Sequence, residues 1–320
     1  MKSISALTDF YYKELYPKLQ ELESQRKRVR FRILLISAFI LLFGVILLAI
    51  LAKENLVGFE FLIFLGIASV GLIGFIYKYL SADYIQSFKD QIIKPLIYEI
   101  DPSLHYLKDN HVSSYQFQAS QLFSTPDRLR GNDHIKGVID GVKIEFSDLH
   151  AQKKHKDSKG RTSWSTIFEG LFIISEFPKH FHGKTFILPD SAQKTFGSLL
   201  GNWLQSKNFT RGELIKMDDV AFEREFVVYS EDQIEARYLL STSLMQKILE
   251  LKHKSAHPLS IAFVGNHIYI TIEYGKDLFE PTFFSSLLDY KIAMEYIKTL
   301  SMTIGIVNEL KLNQKLWSKK

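Results

Sequence analysis

Two long apolar segments near the start of the chain constrain its fold more than any other feature. Residues 33–52 and 61–77 contain no charged side chain. An α-helix rises about 1.5 Å per residue, so roughly twenty apolar residues match the hydrocarbon core of a bilayer. The second segment reaches this length if its helix begins near residue 58. We therefore predict a transmembrane hairpin over residues 33–80, with spans at 33–52 and about 58–78.

Two other structures have apolar segments of this kind, the buried core hairpin of a soluble protein and a cleaved signal peptide. Uninterrupted apolar runs of this length argue against a core hairpin. The first run begins only after residue 32 and lacks a small-residue cleavage site, which argues against a signal peptide. The transmembrane interpretation is therefore the one we adopt.

Basic residues flank the hairpin on one side only. The link at 53–60 holds one lysine against two glutamates, so the positive-inside rule places both termini in the cytoplasm. The chain contains no cysteine, which fits a reducing compartment. The membrane-orienting residues are Arg26, Lys27, Arg28, Arg30 and Arg32 before the first span and Lys78 after the second.

The segments next to the spans both have helical periodicity. Residues 1–32 predict a cytoplasmic amphipathic helix with Leu15, Leu19 and Leu22 on one face. This helix either packs on its own domain, or lies on the bilayer or pairs with another chain. Residues 81–105 predict a membrane-proximal stalk, which Pro95 and Pro102 kink or end. Its apolar stripe has a spacing of four residues and consists of Tyr84, Phe88, Ile92 and Leu96.

Residues 106–320 predict one cytoplasmic α+β domain of antiparallel strands with several helices. Asp140-Gly141 and Gly265-Asn266 each suit the tight turn of a strand hairpin. A further strand pair is expected at 166–177 and 184–189. The remaining predicted elements are a helix at 191–205, a strand at 221–230, a helix opened by a Ser230–Gln233 capping box and interrupted at 241–243, and a long C-terminal helix from Tyr290 to Leu310.

A basic stretch at 150–165 interrupts the strand pattern of this domain. Near an inner leaflet its cations can contact anionic lipid, at about 1 kcal/mol for each charge. The alternative is a flexible hairpin loop without a partner. The candidate lipid-contacting residues are Lys153, Lys154, Lys156, Lys159 and Arg161.

The sequence gives no specific signal for a metal site, a cofactor or catalysis. His180 and His182 form a weak metal-ligand pair, because a real site needs a third or fourth ligand. Neither a phosphate-binding glycine loop nor a G-x-S-x-G elbow is present. A net charge of +5 is mild and does not indicate a nucleic-acid binder. We therefore predict no cofactor and assign no catalytic residue.

Three stretches resemble an uncharacterised bacterial membrane-protein family, domain of unknown function 3137. They are FYYKELYPKLQELESQR at 10–26, TIFEGLFIISEFPKHFHGKTFILPD at 166–190 and FEREFVVYSEDQIEARYLLSTSLMQKI at 222–248. The resemblance implies a bacterial inner-membrane protein with two spans and a cytoplasmic domain. It implies no catalytic residues.

These observations favour a membrane-anchored, non-enzymatic interaction or scaffold protein. Its partners would be the lipid bilayer and another protein or a second copy of the chain, with the N-terminal and C-terminal helices as contact surfaces. The alternative is a lipid-sensing or lipid-binding domain at the inner leaflet, for which the basic stretch is the motivation. An enzyme of unrecognised type is a third hypothesis.

Overall fold

The computed structural model describes residues 4–53, 58–177, 181–190 and 212–310. They form two compact units. The described residues of the helical unit fall within 3–96 and 280–295, and those of the sheet unit fall within 97–279 and 296–320.

The described chain contains nine α-helices, two π-helical turns and nine strands. The helices are α1 (Ile4–Phe10), α2 (Tyr16–Lys53), α3 (Phe59–Phe88), α4 (Lys94–Ile100), α5 (Ser114–Ala119), α6 (Val220–Glu225), α7 (Gln233–Leu239), α8 (Thr242–Ser255) and α9 (Tyr290–Glu309). The π-helical turns are Tyr11–Leu15 and Lys89–Ile93. The strands are β1 (His105–Leu107), β2 (Arg128–Ile139), β3 (Val142–Lys156), β4 (Thr162–Glu176), β5 (Thr185–Pro189), β6 (Glu213–Ile215), β7 (Phe226–Ser230), β8 (Leu259–Val264) and β9 (His267–Glu273).

Each long helix of the helical unit carries a π-helical turn shortly before a proline. The N–H of Tyr16 donates to the carbonyl of Tyr11, and the N–H of Lys94 donates to that of Lys89, five residues back in both cases. Pro17 and Pro95 follow these donors directly. A proline ring clashes with the carbonyl four residues earlier in a regular helix, and the wider turn relieves that clash. Helical structure therefore continues through both prolines, and α4 ends at Ile100, before Asp101-Pro102.

The π-helical turns also explain the spacing of four residues in the apolar stripes. Positions four apart drift by about 40° around a regular α-helix. A turn that takes up one extra residue corrects most of this drift, so the stripe stays on one face. The buried residues in these stripes are Leu7, Tyr11, Leu15, Leu19 and Leu22 on one helix and Tyr84, Phe88, Ile92 and Leu96 on the other.

The sheet unit is built on one antiparallel sheet of nine strands in the order β1-β2-β3-β4-β9-β8-β5-β7-β6. Strands β5, β8 and β9 and the inner part of β4, residues 170–175, are buried on both faces. On one face, an aromatic core surrounds Phe117 of α5, whose ring lies 5.2 Å from that of Phe172 and 6.0 Å from that of Phe168. The predicted α+β class, with antiparallel strands and several helices, is confirmed.

Both predicted tight turns are present. Asp140 and Gly141 have φ values of 49° and 82° and join β2 to β3, as expected for a turn that needs positive φ at both positions. Gly265, with φ 63°, joins β8 to β9. The interruption near 241 is also present, because α7 ends at Leu239 and Ser241 caps α8.

The prediction that residues 150–165 interrupt the strand pattern is wrong. Strand β3 continues to Lys156 and β4 begins at Thr162, so the basic stretch is the outer part of a long hairpin. Polar side chains pair across it, with His150 Nε2 2.8 Å from Thr166 Oγ1 and His155 Nε2 2.7 Å from Ser165 Oγ. A two-stranded ribbon exposed on both faces does not need apolar alternation, which is why the sequence pattern failed here.

Two local predictions around residue 225 are also wrong. The segment expected as a strand at 221–230 begins as helix α6, because the Asp219 carboxylate accepts the N–H groups of Ala221 and Phe222 at 2.9 and 3.0 Å. Only β7 is a strand. The N-cap of α7 is Asp232, not Ser230, so the proposed capping box does not form.

The expected pairing of 166–177 with 184–189 is wrong as well. These segments are β4 and β5, and β9 and β8 lie between them in the sheet. The two segments are close in sequence, which suggested that they form a hairpin. In the sheet, however, the β8–β9 hairpin around Gly265 lies between them. The helix predicted at 191–205 lies outside the described residues.

Candidate functional site

The helical unit has an outer half with exposed apolar side chains and a proximal half whose apolar stripe is buried. We define the outer half as residues 33–53 and 58–78, and the proximal half as residues 4–32 and 79–96. Two helices of the described chain are long and apolar enough to cross a membrane. The exposed apolar residues of the outer half include Phe39, Leu42, Phe43, Val45, Ile46, Phe64, Ile67, Val70 and Phe75.

A segment distant in sequence packs on the proximal half of the helical unit. We call residues 280–289, which lead into α9, the latch segment. Arg26 and Glu23 form a buried bidentate ion pair, with Nε–Oε2 and Nη2–Oε1 distances of 2.9 and 2.7 Å. Both groups also hold the latch segment, because Arg26 donates to the Phe283 carbonyl at 2.8 Å and Glu23 accepts from the Leu287 N–H at 3.0 Å.

The same segment is held by the second long helix. Lys89, which is buried, lies 2.9 Å from the Glu280 carboxylate, and the Tyr84 hydroxyl donates to the Thr282 carbonyl at 3.0 Å. The hydrogen bonds from Arg26 hold the pKa of Glu23 below its ordinary value, and the Leu287 N–H adds to this effect. The proximal half therefore uses buried, mutually satisfied charges to fix one loop to two helices.

The predicted orienting cations fall into two environments. Arg26 is buried and neutralised by Glu23, so its charge is a structural one. Lys27 and Arg28 are exposed, and Arg30 reaches the carbonyl of Phe284 at 3.5 Å. Arg32 and Lys78 are also exposed, beside the outer half.

In the sheet unit, the outer part of the β3–β4 hairpin carries a cluster of cations around one indole ring. The cross-strand pairs Lys154–Trp164 and Lys156–Thr162 put both lysines and Trp164 on one face of the ribbon. The guanidinium carbon of Arg128 lies 3.9 Å from the centroid of the Trp164 ring, and Lys154 Nζ lies 6.0 Å from it. We call Arg128, Lys154, Lys156 and Trp164 the basic–aromatic face.

The predicted lipid-contacting residues are not equivalent. Lys153 lies 3.4 Å from Asp127, and Arg161 lies 2.8 Å from Asp157, so each has a carboxylate partner. Within the described residues, the side-chain ammonium groups of Lys154, Lys156 and Lys159 form no ion pair with a carboxylate. Backbone and side-chain hydrogen bonds from Arg161 hold the pKa of Asp157 below its ordinary value, so this carboxylate stays ionised and organises the turn at 157–161.

A shallow groove of about 370 Å³ lies elsewhere on the sheet unit, at the β2–β3 turn end of the strands. Three of its charged side chains are already paired: Lys143 lies 2.8 Å from Glu176, and Glu145 lies 2.6 Å from His134. The hydrogen bond from His134 lowers the pKa of Glu145, so this carboxylate is ionised at neutral pH and cannot donate a proton. We assign no catalytic residue in this groove.

The histidine pair predicted as a weak metal site divides at the limit of the described chain. His180 lies outside the described residues. The His182 N–H donates to the Glu235 carboxylate at 3.3 Å, and the Gly183 N–H does so at 2.9 Å, so this buried carboxylate caps a turn. Among the residues that the structure describes, no group of three or more histidine, aspartate or glutamate side chains is placed to hold a metal ion.

The family comparison covers much of the sheet unit and residues 280–295 of the helical unit. Residues 166–312, from β4 to the end of α9, match the family described as Protein of unknown function (DUF3137). The resemblance to this family is confirmed. No curated protein shows significant sequence similarity to the chain.

One solved structure shows a distant likeness to this chain. It is the crystal structure of the mycobacterial trehalose monomycolate transport factor A, TtfA, with 7% sequence identity and a TM-score of 0.35. The match covers 65% of this chain and 90% of that chain. A likeness at this TM-score carries no argument about function.

Sequence reasoning missed three residues that organise these surfaces. Glu23 is absent from the sequence-based site residues, yet its position three residues before Arg26 is the spacing of a helical ion pair. Trp164 and Arg128 were not connected, because a cation–π contact across a strand pair has no signature in a single segment. Trp164 does stand out as an aromatic residue within a polar run, and this was the available signal.

Proposed function

We propose that this protein is a membrane-anchored, non-enzymatic interaction protein whose sheet unit works at the cytoplasmic surface of a bacterial inner membrane. The observation that carries the proposal is the exposed apolar surface of the outer half. Leaving a Leu, Ile or Phe side chain in water forgoes about 1.5–3 kcal/mol for each residue. An isolated pair of helices with this many such residues requires a hydrocarbon environment.

The flanking charges support the orientation. Exposed cations cluster where α2 enters and α3 leaves the outer half, whereas the link at 53–60 is short and mildly acidic. We therefore place both termini and the sheet unit on the cytoplasmic side.

Site-specific labelling tests this arrangement, because the chain has no cysteine of its own. Ser158→Cys, in the exposed turn of the β3–β4 hairpin, and Lys53→Cys, at the end of α2, give single reactive sites. With a membrane-impermeant maleimide on intact spheroplasts, we expect labelling of the Lys53 variant and protection of the Ser158 variant until lysis. The opposite pattern contradicts the orientation, and release of the protein by alkaline carbonate contradicts the anchor.

The basic–aromatic face favours an anionic lipid surface as the ligand of the sheet unit.

The burial of the amphipathic stripes weakens the other hypothesis, in which these helices contact a protein partner. The helices that the sequence suggested as protein contact surfaces are α1 with the start of α2, and α9. Their apolar stripes, including Leu15, Leu19, Ile297, Leu300 and Ile304, are buried within the chain.

Nanodiscs of neutral phosphatidylcholine that carry the full chain provide the test. Mixed with vesicles that contain phosphatidylglycerol, they should co-float, and high salt should abolish this because exposed charges are screened. The variant Lys154→Ser/Lys156→Ser should lose most of the binding. A matched control, Lys216→Ser/Lys298→Ser, removes two exposed lysines elsewhere in the sheet unit and should retain it. Equal loss in both variants, or binding to neutral vesicles, contradicts a specific role for the face.

Protein binding is the second candidate, and one helix favours it. Ile234 and Tyr238 lie one turn apart on α7 and are 84% and 55% exposed. Apolar side chains at this spacing form a surface suited to another protein or a second copy of the chain. Crosslinking in membranes should then give a discrete product that Ile234→Glu removes. A product unchanged by this substitution excludes this surface as the contact.

A further inference from the structure

The latch segment holds two adjacent phenylalanines at the boundary between the proximal and outer halves. Arg26 donates to the Phe283 carbonyl at 2.8 Å, and Arg30 reaches the Phe284 carbonyl at 3.5 Å. The Tyr84 hydroxyl fixes the preceding residue through the Thr282 carbonyl. Three side chains from two helices therefore determine where this part of the backbone lies.

The two phenylalanine rings have opposite surroundings. Phe283 is 8% exposed and packs edge-on against Tyr77 and Tyr84, with ring centroids 5.1 and 6.3 Å apart. Phe284 is 76% exposed, although it directly follows the anchored Phe283 and its own carbonyl lies 3.5 Å from Arg30. A large apolar side chain presented by a fixed backbone, beside an already exposed apolar surface, indicates an environment other than water.

Other aromatic residues surround the same boundary. Phe31 lies at the entry of α2 into the outer half, and Tyr77 and Tyr79 lie at the exit of α3; all three are exposed. Aromatic side chains concentrate at the level of lipid headgroups, where one part of the ring is apolar and the other is hydrated. The half-buried Arg30 and the exposed Arg32 and Lys78 add a charge that complements anionic headgroups.

We propose that Phe284 inserts into the cytoplasmic headgroup layer, so that the latch segment is a third membrane contact beside the two spans. This inference rests on the proposed membrane anchor and goes beyond it. The position of this segment relative to the bilayer is then set by the two helices that cross the membrane, because Arg26, Arg30 and Tyr84 connect it to them. The environment that Phe284 and the nearby cations would contact is an interfacial lipid layer with anionic headgroups.

Spin-label accessibility in proteoliposomes tests the depth of this residue. Nitroxides are attached to single cysteines in the full chain at Phe284→Cys, at Phe39→Cys in the outer half and at Tyr115→Cys, which is 81% exposed in the sheet unit. We expect collisions with a water-soluble nickel complex to be several-fold rarer at 284 than at 115. Collisions with oxygen should be more frequent at 284 than at 115 and less frequent than at 39.

Each remaining outcome counts against a defined claim. If position 284 matches 115 while 39 is lipid-protected, the anchor stands and the insertion of Phe284 is wrong. If position 39 is also in water, the anchor and the inference both fail. Ser285→Cys keeps Phe284 in place and samples the same level, so a perturbed Phe284→Cys protein does not prevent the measurement.

Discussion

The outer and proximal halves of the helical unit are parts of the same two helices, yet their surfaces differ. The proximal half buries its apolar stripe and includes two ion pairs that hold the latch segment. The outer half exposes its apolar side chains, and its helices contain no comparable buried charge within the described residues. The contrast is the one expected if the proximal half packs against protein and the outer half, as we propose, packs against lipid.

The largest effect should come from breaking the buried ion pair. Arg26→Met removes the bidentate partner of the buried Glu23 carboxylate and leaves only the exposed Lys27, whose Nζ lies 3.8 Å away, as a nearby cation. The loss should cost about 3–5 kcal/mol of unfolding free energy. The double variant Glu23→Leu/Arg26→Met should cost less than the single one, because no charge is then left buried. Denaturant unfolding in detergent micelles measures both values.

The control for this experiment is Arg28→Met, which removes an exposed arginine two residues away. Its effect should stay within about 0.5 kcal/mol. A loss as large as that of Arg26→Met would mean that helix charge, not burial, determines the stability of the proximal half.

A matched leucine pair compares the two halves directly. Leu22 is fully buried in the proximal half, and Leu42 is 60% exposed in the outer half. Leu22→Ala should cost about 2–5 kcal/mol through lost burial and the cavity it leaves. Leu42→Ala should cost less than about 1 kcal/mol in micelles, because lipid or detergent fills the space. Equal costs would show that the outer half packs against a further protein surface.

The smallest effect concerns pH. The pKa of Glu23 is lowered in the folded chain, so its contribution is fully present above its ordinary value of 4.5 and is lost as the pH falls through and below that value. Stability should therefore fall more steeply on acidification in the native protein than in Glu23→Gln. The exposed Glu21→Gln should leave the slope unchanged. Parallel slopes in all three proteins would exclude linkage to Glu23.

Much of the helical unit could be predicted from residue type and spacing alone. Apolar runs without charges identify the outer half, because hydrocarbon accepts little else. The latch segment could not be predicted in this way. Most of the sheet unit lies between Arg26 and its partner Phe283 in the chain. No feature of the sequence near residue 26 indicates a partner more than 250 residues away.

In the sheet unit, the residue preferences of tight turns predicted the turns correctly. Apolar alternation did not predict the strands where they extend beyond the core. Asp140-Gly141 was recognisable because positive φ at two successive residues has a narrow residue preference. The outer β3–β4 hairpin was missed because it has no buried face to impose alternation. The same holds for the site residues. The lysines could be predicted as a cluster of charges, whereas the contact of Arg128 with Trp164 depends on strand register and could not.

The paired π-helical turns have a consequence for homologous chains. Each turn amounts to one residue more than a regular helix needs, and each sits directly before a proline. A homologue that lacks Pro17 can also lack one residue at 11–15 and still present the same side chains on a regular helix. Deleting that residue while Pro17 stays brings the proline ring back against the carbonyl four residues earlier. Gaps and prolines should therefore covary at these two places when sequences are aligned.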